Sequence, residues 1–199
     1  ILKQIFQSLS NGETSLVEVP VPKLLKGNIL VRTQKSLISS GTEKMLTDFG
    51  ASNYLEKALK QPDKVNEVIN KLKVDGLTST LDAVFSKLEQ PIPLGYCNVG
   101  TIVEVSEEIK DLKIGDRVVT NGYHSEFVSV PKNLCSIIPE NVKNEDAVFT
   151  VVGSIGLQGI RLLSPSFGET ILVSGLGLIG LISAQILKAN GCNVIGIDT

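Results

Sequence analysis

The apolar positions fall into two regimes along the chain. Up to about Pro131 they come in short runs rich in Val, Ile and Leu, separated by Asn11-Gly12, Lys26-Gly27-Asn28, Gly115-Asp116 and Asn121-Gly122. This pattern predicts strands over residues 4–8, 16–19, 29–38, 100–105, 117–120 and 126–130. Many short strands with glycine turns predict a small barrel or sandwich. One stretch, from about Glu43 to Glu89, breaks the pattern. Gln61-Pro62-Asp63 predicts a helix start with Pro at a tolerated early position. Val65, Val68, Ile69 and Leu72 then recur at helical spacing, and Asp75-Gly76 closes the segment. Leu81, Val84, Phe85 and Leu88 repeat that spacing. An amphipathic helical hairpin is therefore predicted inside the β region, inserted at about residues 43–90.

From Asn144 onward helix and strand alternate. Residues 145–151 and 154–163 read as helices, and Ser164-Pro165-Ser166-Phe167-Gly168 reads as a turn. A strand over 170–174, a helix over 178–189 and a strand over 193–197 make a βαβ unit. The domain boundary is predicted near residues 142–154. The fold class is α/β with a β-rich N-terminal part.

Composition narrows the function. The chain has 199 residues, enough to bury a sizeable core in one large or two small domains. A hydrophobic share of 42% and a charged share of 20% suit a soluble globular protein. The net charge of −2 leaves no electrostatic footprint for nucleic acid or an anionic membrane. The three cysteines, Cys97, Cys135 and Cys192, form no CxxC pair, so neither a disulfide framework nor a four-cysteine zinc knot is available. They are expected to be reduced thiols in a cytoplasmic protein. No basic region followed by an apolar stretch opens the chain, so no signal peptide is expected. The most apolar stretch, 171–187, is interrupted by Ser174, Ser183 and Gln185 and falls short of the roughly 20 apolar residues of a membrane span.

The chemistry is concentrated in Gly175-Leu176-Gly177-Leu178-Ile179-Gly180, which follows one predicted strand and opens a helix. A bare GxGxxG is a weak signal, but here the strand and helix contexts are both present. Gly175 permits the turn, Gly177 lets the backbone approach a pyrophosphate, and Gly180 lets helix and strand pack closely. Free N–H groups and the positive end of the helix dipole then face the phosphates. Asp198 ends the next strand, where a carboxylate accepts hydrogen bonds from ribose hydroxyls and repels a 2′-phosphate. NAD(H) is therefore expected over NADP(H). One βαβ unit cannot cover both faces of a parallel sheet, so the native protein is expected to continue past Thr199.

An ordered series of further pieces resembles the medium-chain dehydrogenase/reductase superfamily. The series runs through Pro93-Leu94-Gly95, Gly100-Thr101-Ile102-Val103-Glu104-Val105, Gly115-Asp116-Arg117-Val118, Gly122-Tyr123-His124-Ser125-Glu126-Phe127-Val128, Val130-Pro131, Ile138-Pro139 and Gly168-Glu169-Thr170. The resemblance implies a GroES-like β-barrel over 1–143, carrying the helical insertion, and the incomplete start of a Rossmann domain over 144–199. A narrower similarity, to bi-domain oxidoreductases, lies in Ser39-Ser40-Gly41-Thr42-Glu43-Lys44-Met45, in Gln61-Pro62-Asp63-Lys64-Val65, and in Gln90-Pro91-Ile92-Pro93-Leu94-Gly95-Tyr96-Cys97-Asn98-Val99-Gly100. In that group a Gfo/Idh/MocA-type domain follows the dehydrogenase half.

Zinc-dependent members place a Cys before Gly-Thr-Asp, a His-Glu after Gly, and a third ligand later. Here Ser40 precedes Gly41-Thr42-Glu43, Tyr96-Cys97 follows Gly95, and the region 152–156 holds neither Cys nor His. No metal ligand set is expected, and Cys97 alone cannot hold a catalytic zinc. Thr42 aligns with the hydroxyl that relays protons in zinc-dependent relatives, and Tyr96 brings a phenol to a ligand position. Either Tyr96 or Thr42, with Ser40 a further candidate, is expected to hydrogen-bond the substrate oxygen during hydride transfer. His124, the one histidine, is expected to be a hydrogen-bonded surface or boundary residue, and Cys97 a small buried residue beside the cleft.

The resemblance thus implies a zinc-independent NAD(H)-linked oxidoreductase acting on an alcohol or carbonyl of a sugar, polyol or sugar nucleotide. The rivals are an NADPH-linked quinone or enoyl reductase, and a degenerate domain that binds a dinucleotide or serves assembly. Expected partners are a small-molecule substrate, with a homo-oligomer and a covalent C-terminal oxidoreductase domain as the protein contacts this reading admits. The hairpin could shape a substrate pocket, pack on a partner subunit or receive that further domain.

Overall fold

The computed structural model describes residues 1–53, 56, 57, 59, 61–63, 65, 68, 86 and 88–199. Among them, ten strands form three sheets. The Asn11-Gly12 turn lets β1 (Leu2–Gln7) pair antiparallel with β2 (Thr14–Val19), and β4 (Ile92–Pro93) pairs with the other edge of β1. The five-stranded sheet contains β3 (Asn28–Ser36), β5 (Asn98–Val105), β6 (Arg117–Thr120), β7 (Phe127–Pro131) and β8 (Cys135–Ile137). Its order is β7-β3-β5-β6-β8, all antiparallel.

Alternation along these strands builds two cores. Ile29, Val31, Ile102, Val118, Val128 and Val130 cluster on one face. Val119, one residue on from Val118, turns to the other face with Val99, Ile138, Ala147 and Val148. Each of the Val and Ile side chains among them contributes about 1.5–3 kcal/mol by leaving water. The second cluster joins the sheet to the helices that follow, because Ala147 ends α2 (Asn144–Ala147).

Helix α1 (Ser40–Ala51) starts three residues before the expected interruption at Glu43. Strand β3 correspondingly stops at Ser36, short of the expected Ile38, because Ser39 already serves as the N-cap of α1. Of the predicted hairpin, Pro62, Asp63, Val65, Val68 and Leu88 are helical, and the Val65 N–H donates to the Gln61 carbonyl at 3.1 Å. Ile69, Leu72, Asp75, Gly76, Leu81, Val84 and Phe85 lie outside the described residues.

The expected break near residues 152–153 falls instead at Val148-Phe149, between α2 and α3 (Thr150–Leu163). Ala147 and Val148 are held in the second core, which fixes the break where the chain leaves the sheet. Gly153 and Gly156 lie inside α3, where Gly156 lets the helix approach Ser183 of α4 (Leu178–Ala189). Strand β9 (Thr170–Ser174) runs parallel to β10 (Asn193–Ile197) in the register Thr170↔Asn193 through Ser174↔Ile197. Among the described residues no helix is long and apolar enough to cross a membrane.

Candidate functional site

Strand order decides which residues meet. Asn98, the first residue of β5, faces Ser36 at the end of β3 and Thr120 at the end of β6. The segments after β3, before β5 and after β6 therefore emerge at one end of the barrel. They carry Ser39–Glu43, Leu94–Cys97 and Asn121–His124. Main-chain bonds to β1 hold the last two together. His124 N–H donates to the Leu94 carbonyl at 2.8 Å, Leu94 N–H to Ile5 at 3.0 Å, and Ile5 N–H to His124 at 2.9 Å.

Three hydroxyls meet there. The half-buried Tyr96 phenol donates to Ser39 Oγ at 2.8 Å and lies 3.4 Å from Thr42 Oγ1. Ser39 Oγ in turn donates to Thr42 Oγ1 at 3.4 Å. The two residues expected from sequence, Tyr96 and Thr42, are thus brought together, with Ser39 as the third member. Ser40 is the exposed first residue of α1 and takes no part in these bonds. A cleft of about 340 Å³ opens beside Tyr96, lined in part by Gln4, Asn121, Tyr123, Ser125 and Phe127, all uncharged.

Behind the hydroxyls lies a buried pair that the sequence did not reveal. Glu43 is 8% exposed and His124 6% exposed. His124 Nε2 stands 3.2 Å from each Glu43 carboxylate oxygen, and its Nδ1 stands 2.9 Å from Ser36 Oγ. Glu43 Oε1 also accepts the Ser39 N–H at 2.9 Å. His124 is thus an interior residue rather than a surface one. Asn98, fully buried, steadies its turn by donating to the Tyr123 carbonyl at 3.2 Å and to Thr33 Oγ1 at 2.8 Å.

Cys97 is fully buried, as expected of a small residue beside the cleft. Burial pushes its thiol up to about 11, a backbone hydrogen bond from Val152 opposes this, and the Glu43 charge adds to it. The contact with Val152 sets this end of the barrel against α3. The donors at Ser40, Tyr96 and Cys97 do not suit a zinc ion. They offer a phenol, a hydroxyl and one thiol held in its neutral form. Among the described residues no group of three His, Cys, Asp or Glu stands close enough to hold a metal.

The second candidate site is made of backbone. Gly175, at φ +91°, turns the chain from β9 toward α4. A Cβ at Gly180 would overlap the Gly175 carbonyl oxygen, so helix and turn pack in contact. A Cβ at Gly177 would meet nothing within 4 Å, so this glycine keeps a surface open rather than filling a packed one. Asp198 Oδ2 accepts the Leu176 N–H at 2.7 Å, and its Oδ1 accepts the Thr199 N–H at 2.8 Å. Ser174, Gly175, Ile197, Asp198 and Thr199 line a cavity of about 240 Å³. This donor-rich helix start beside a carboxylate fits a dinucleotide. The Gly175 N–H is already bonded to the Ile197 carbonyl and the Leu176 N–H to Asp198, so of the Gly175–Gly180 segment the N–H groups from Gly177 onward at the start of α4 would hold the pyrophosphate, and the remaining lone pairs of Asp198 would hold the ribose.

A β-rich domain joined to a βαβ unit with a glycine turn is the architecture of the medium-chain dehydrogenases and reductases. The alcohol dehydrogenase GroES-like domain model matches residues 69–178, and the chain belongs to that family. The D-guloside 3-dehydrogenase of Escherichia coli is 32% identical over 109 residues, covering 53% of this chain and 31% of that protein. A probable quinone oxidoreductase of Leishmania amazonensis is 31% identical over 127 residues, covering 60% of this chain and 36% of that protein. The solved quinone oxidoreductase of Coxiella burnetii superposes with a TM-score of 0.70 at 19% identity, covering 98% of this chain and 56% of its own. The chain spans about half or less of the length of the curated relatives it matches.

Proposed function

We propose that this chain belongs to a zinc-independent, NAD(H)-linked oxidoreductase that interconverts an alcohol and a carbonyl. The observation that carries the proposal is the exposed Gly175–Gly180 turn with open space at Gly177 and a carboxylate, Asp198, at the end of the neighbouring strand. When bound there, the nicotinamide supplies the hydride donor or acceptor. The chain's own residues supply proton handling and orientation. Tyr96 donates to Ser39; if the Ser39 hydroxyl reverses and donates to Tyr96, the phenol O–H is freed for the substrate oxygen. Thr42 accepts or returns that proton at the far end of the cluster.

The uncharged cleft beside Tyr96 favours a neutral, hydroxyl-rich substrate such as a sugar or polyol, and the name of the D-guloside 3-dehydrogenase supports that class. The similarity of Ser39–Met45 and Gln90–Gly100 to bi-domain oxidoreductases supports a partner domain of the Gfo/Idh/MocA type, in a cytoplasmic enzyme. A second reading, an NADPH-linked quinone reductase, is favoured by the name of the Leishmania amazonensis relative. Calorimetric titration of the full-length protein separates the two. NADH is expected to bind at least about tenfold tighter than NADPH, a difference of roughly 1.4 kcal/mol; the reverse order supports the second reading. Tyr96→Phe is expected to lower kcat about 10²-fold with NADH affinity unchanged. Full turnover in that variant removes Tyr96 from the chemistry.

A further inference from the structure

Ser39 is the N-cap of α1, yet its hydroxyl makes no cap hydrogen bond. An N-cap serine ordinarily turns its oxygen to the N–H groups of the first helical turn. Here that oxygen faces Tyr96 instead, at 2.8 Å. Glu43 explains the difference. From the first turn of α1 its carboxylate reaches back to the Ser39 N–H at 2.9 Å, the reciprocal half of a capping box placed one residue later than usual. The backbone at the helix start is thereby held by the glutamate, and the serine oxygen is left for the phenol.

A carboxylate 8% exposed needs further partners, and His124 provides them from 81 residues away, with Nε2 at 3.2 Å from both oxygens. His124 is in turn fixed on each remaining side. Ser36 Oγ meets Nδ1 at 2.9 Å, and the main chain bonds to Leu94 and Ile5. Gly95, at φ +92°, lies so close that a Cβ there would stand 2.8 Å from the imidazole ring. The ring therefore lies directly under the turn that presents Tyr96. One buried pair contacts the start of α1 through Glu43 and the Leu94–Tyr96 turn through His124.

We propose that Glu43 and His124 are positioning residues that set the spacing between the Tyr96 phenol and the Ser39 and Thr42 hydroxyls. This rests on the reading of Tyr96 as the phenol that faces substrate.

The test is read on the full-length protein without substrate, so its failure is distinct from failure of the hydride-transfer reading. Biosynthetic labelling with 3-fluorotyrosine gives a fluorine resonance for Tyr96, assigned by its loss in Tyr96→Phe. Glu43→Gln and His124→Asn are expected to shift and at least double the width of that resonance, while the Tyr123 resonance and NADH affinity stay unchanged. Glu43→Asp keeps the buried charge, shortens the arm, and is expected to give the same response should either other variant fail to fold. With an alcohol substrate in hand, the same variants are expected to lower kcat at least fivefold with KM within twofold. An unchanged Tyr96 resonance in a folded variant with lowered Tm means that the pair only stabilises the barrel, and overturns the proposal.

Discussion

The two candidate sites are built on opposite principles. At the end of the barrel, side chains from three distant segments converge. Tyr96 bonds Ser39 across 57 residues, and His124 bonds Glu43 across 81. At the start of α4 the site is backbone, contained within six consecutive residues plus Asp198. The first is largely buried and held by hydrogen bonds among side chains. The second is exposed and owes its shape to the absence of side chains. Damage should therefore spread differently in each, through packing in the barrel and through lost access in the glycine turn.

The glycine turn offers the sharpest test of that contrast, because two of its glycines have opposite surroundings. A Cβ at Gly180 overlaps the Gly175 carbonyl oxygen, a backbone atom that cannot swing away. Gly180→Ala is expected to cost about 1–3 kcal/mol of stability and to abolish measurable NADH binding. Gly177→Ala has open space around it, so thermal unfolding is expected to be unchanged while NADH affinity falls about tenfold, roughly 1.4 kcal/mol. Equal losses of Tm in the two variants would break the distinction between a packed and an open glycine.

In the barrel the matching pair is Gly95 and Gly115. Both have positive φ, +92° and +95°, but a Cβ at Gly95 meets the His124 ring and backbone at 2.8 Å, whereas one at Gly115 meets nothing within 4 Å. Gly115→Ala should show backbone strain alone, about 1–2 kcal/mol. Gly95→Ala should cost that plus overpacking, a further 1 kcal/mol or about that. The difference in denaturant midpoint between the two variants measures how tightly the imidazole is wedged under the Tyr96 turn. No difference would mean that the ring yields freely.

The same contrast explains what could be read from sequence. The βαβ unit was legible to the residue at β9, α4 and β10, because strand, glycine turn and helix are encoded within 30 consecutive positions or so. The longer strands of the barrel, β1, β2, β3, β5, β6 and β7, were legible for the same local reason. Thr42 was named beside Tyr96 only through the resemblance, and the third hydroxyl, Ser39, was not foreseen, because the order β3-β5-β6 that gathers them appears in no local pattern. Glu43 left one trace, its spacing of four from Ser39, which becomes a cap signal only once α1 is known to start at Ser40. Placing the interruption at Glu43 hid it. His124 left none, since a lone histidine after a glycine turn has no spacing to read. The short strands β4 and β8 also passed unpredicted, being set by pairing with β1 and β6 rather than by apolar alternation of their own.

The smallest expected effect is silent at neutral pH and comes from two cysteines of the barrel. Burial pushes the Cys97 and Cys135 thiols up to about 11 from 9.0, with Glu43 adding at Cys97, and Asp111 and Asp116 at Cys135. Below about pH 9 both thiols carry their proton folded and unfolded, so they give stability no slope there. Between about pH 9 and 11 the unfolded chain releases these protons while the folded chain keeps them. The unfolded state then binds fewer protons, and stability falls as pH rises. Urea midpoints are expected to be level from pH 7.5 to 8.5 and to decline by pH 10.5, and Cys97→Ala is expected to flatten part of that decline. An alkaline decline that Cys97→Ala leaves untouched would show that the thiol beside the hydroxyl cluster is less enclosed than its position against Val152 and Glu43 requires.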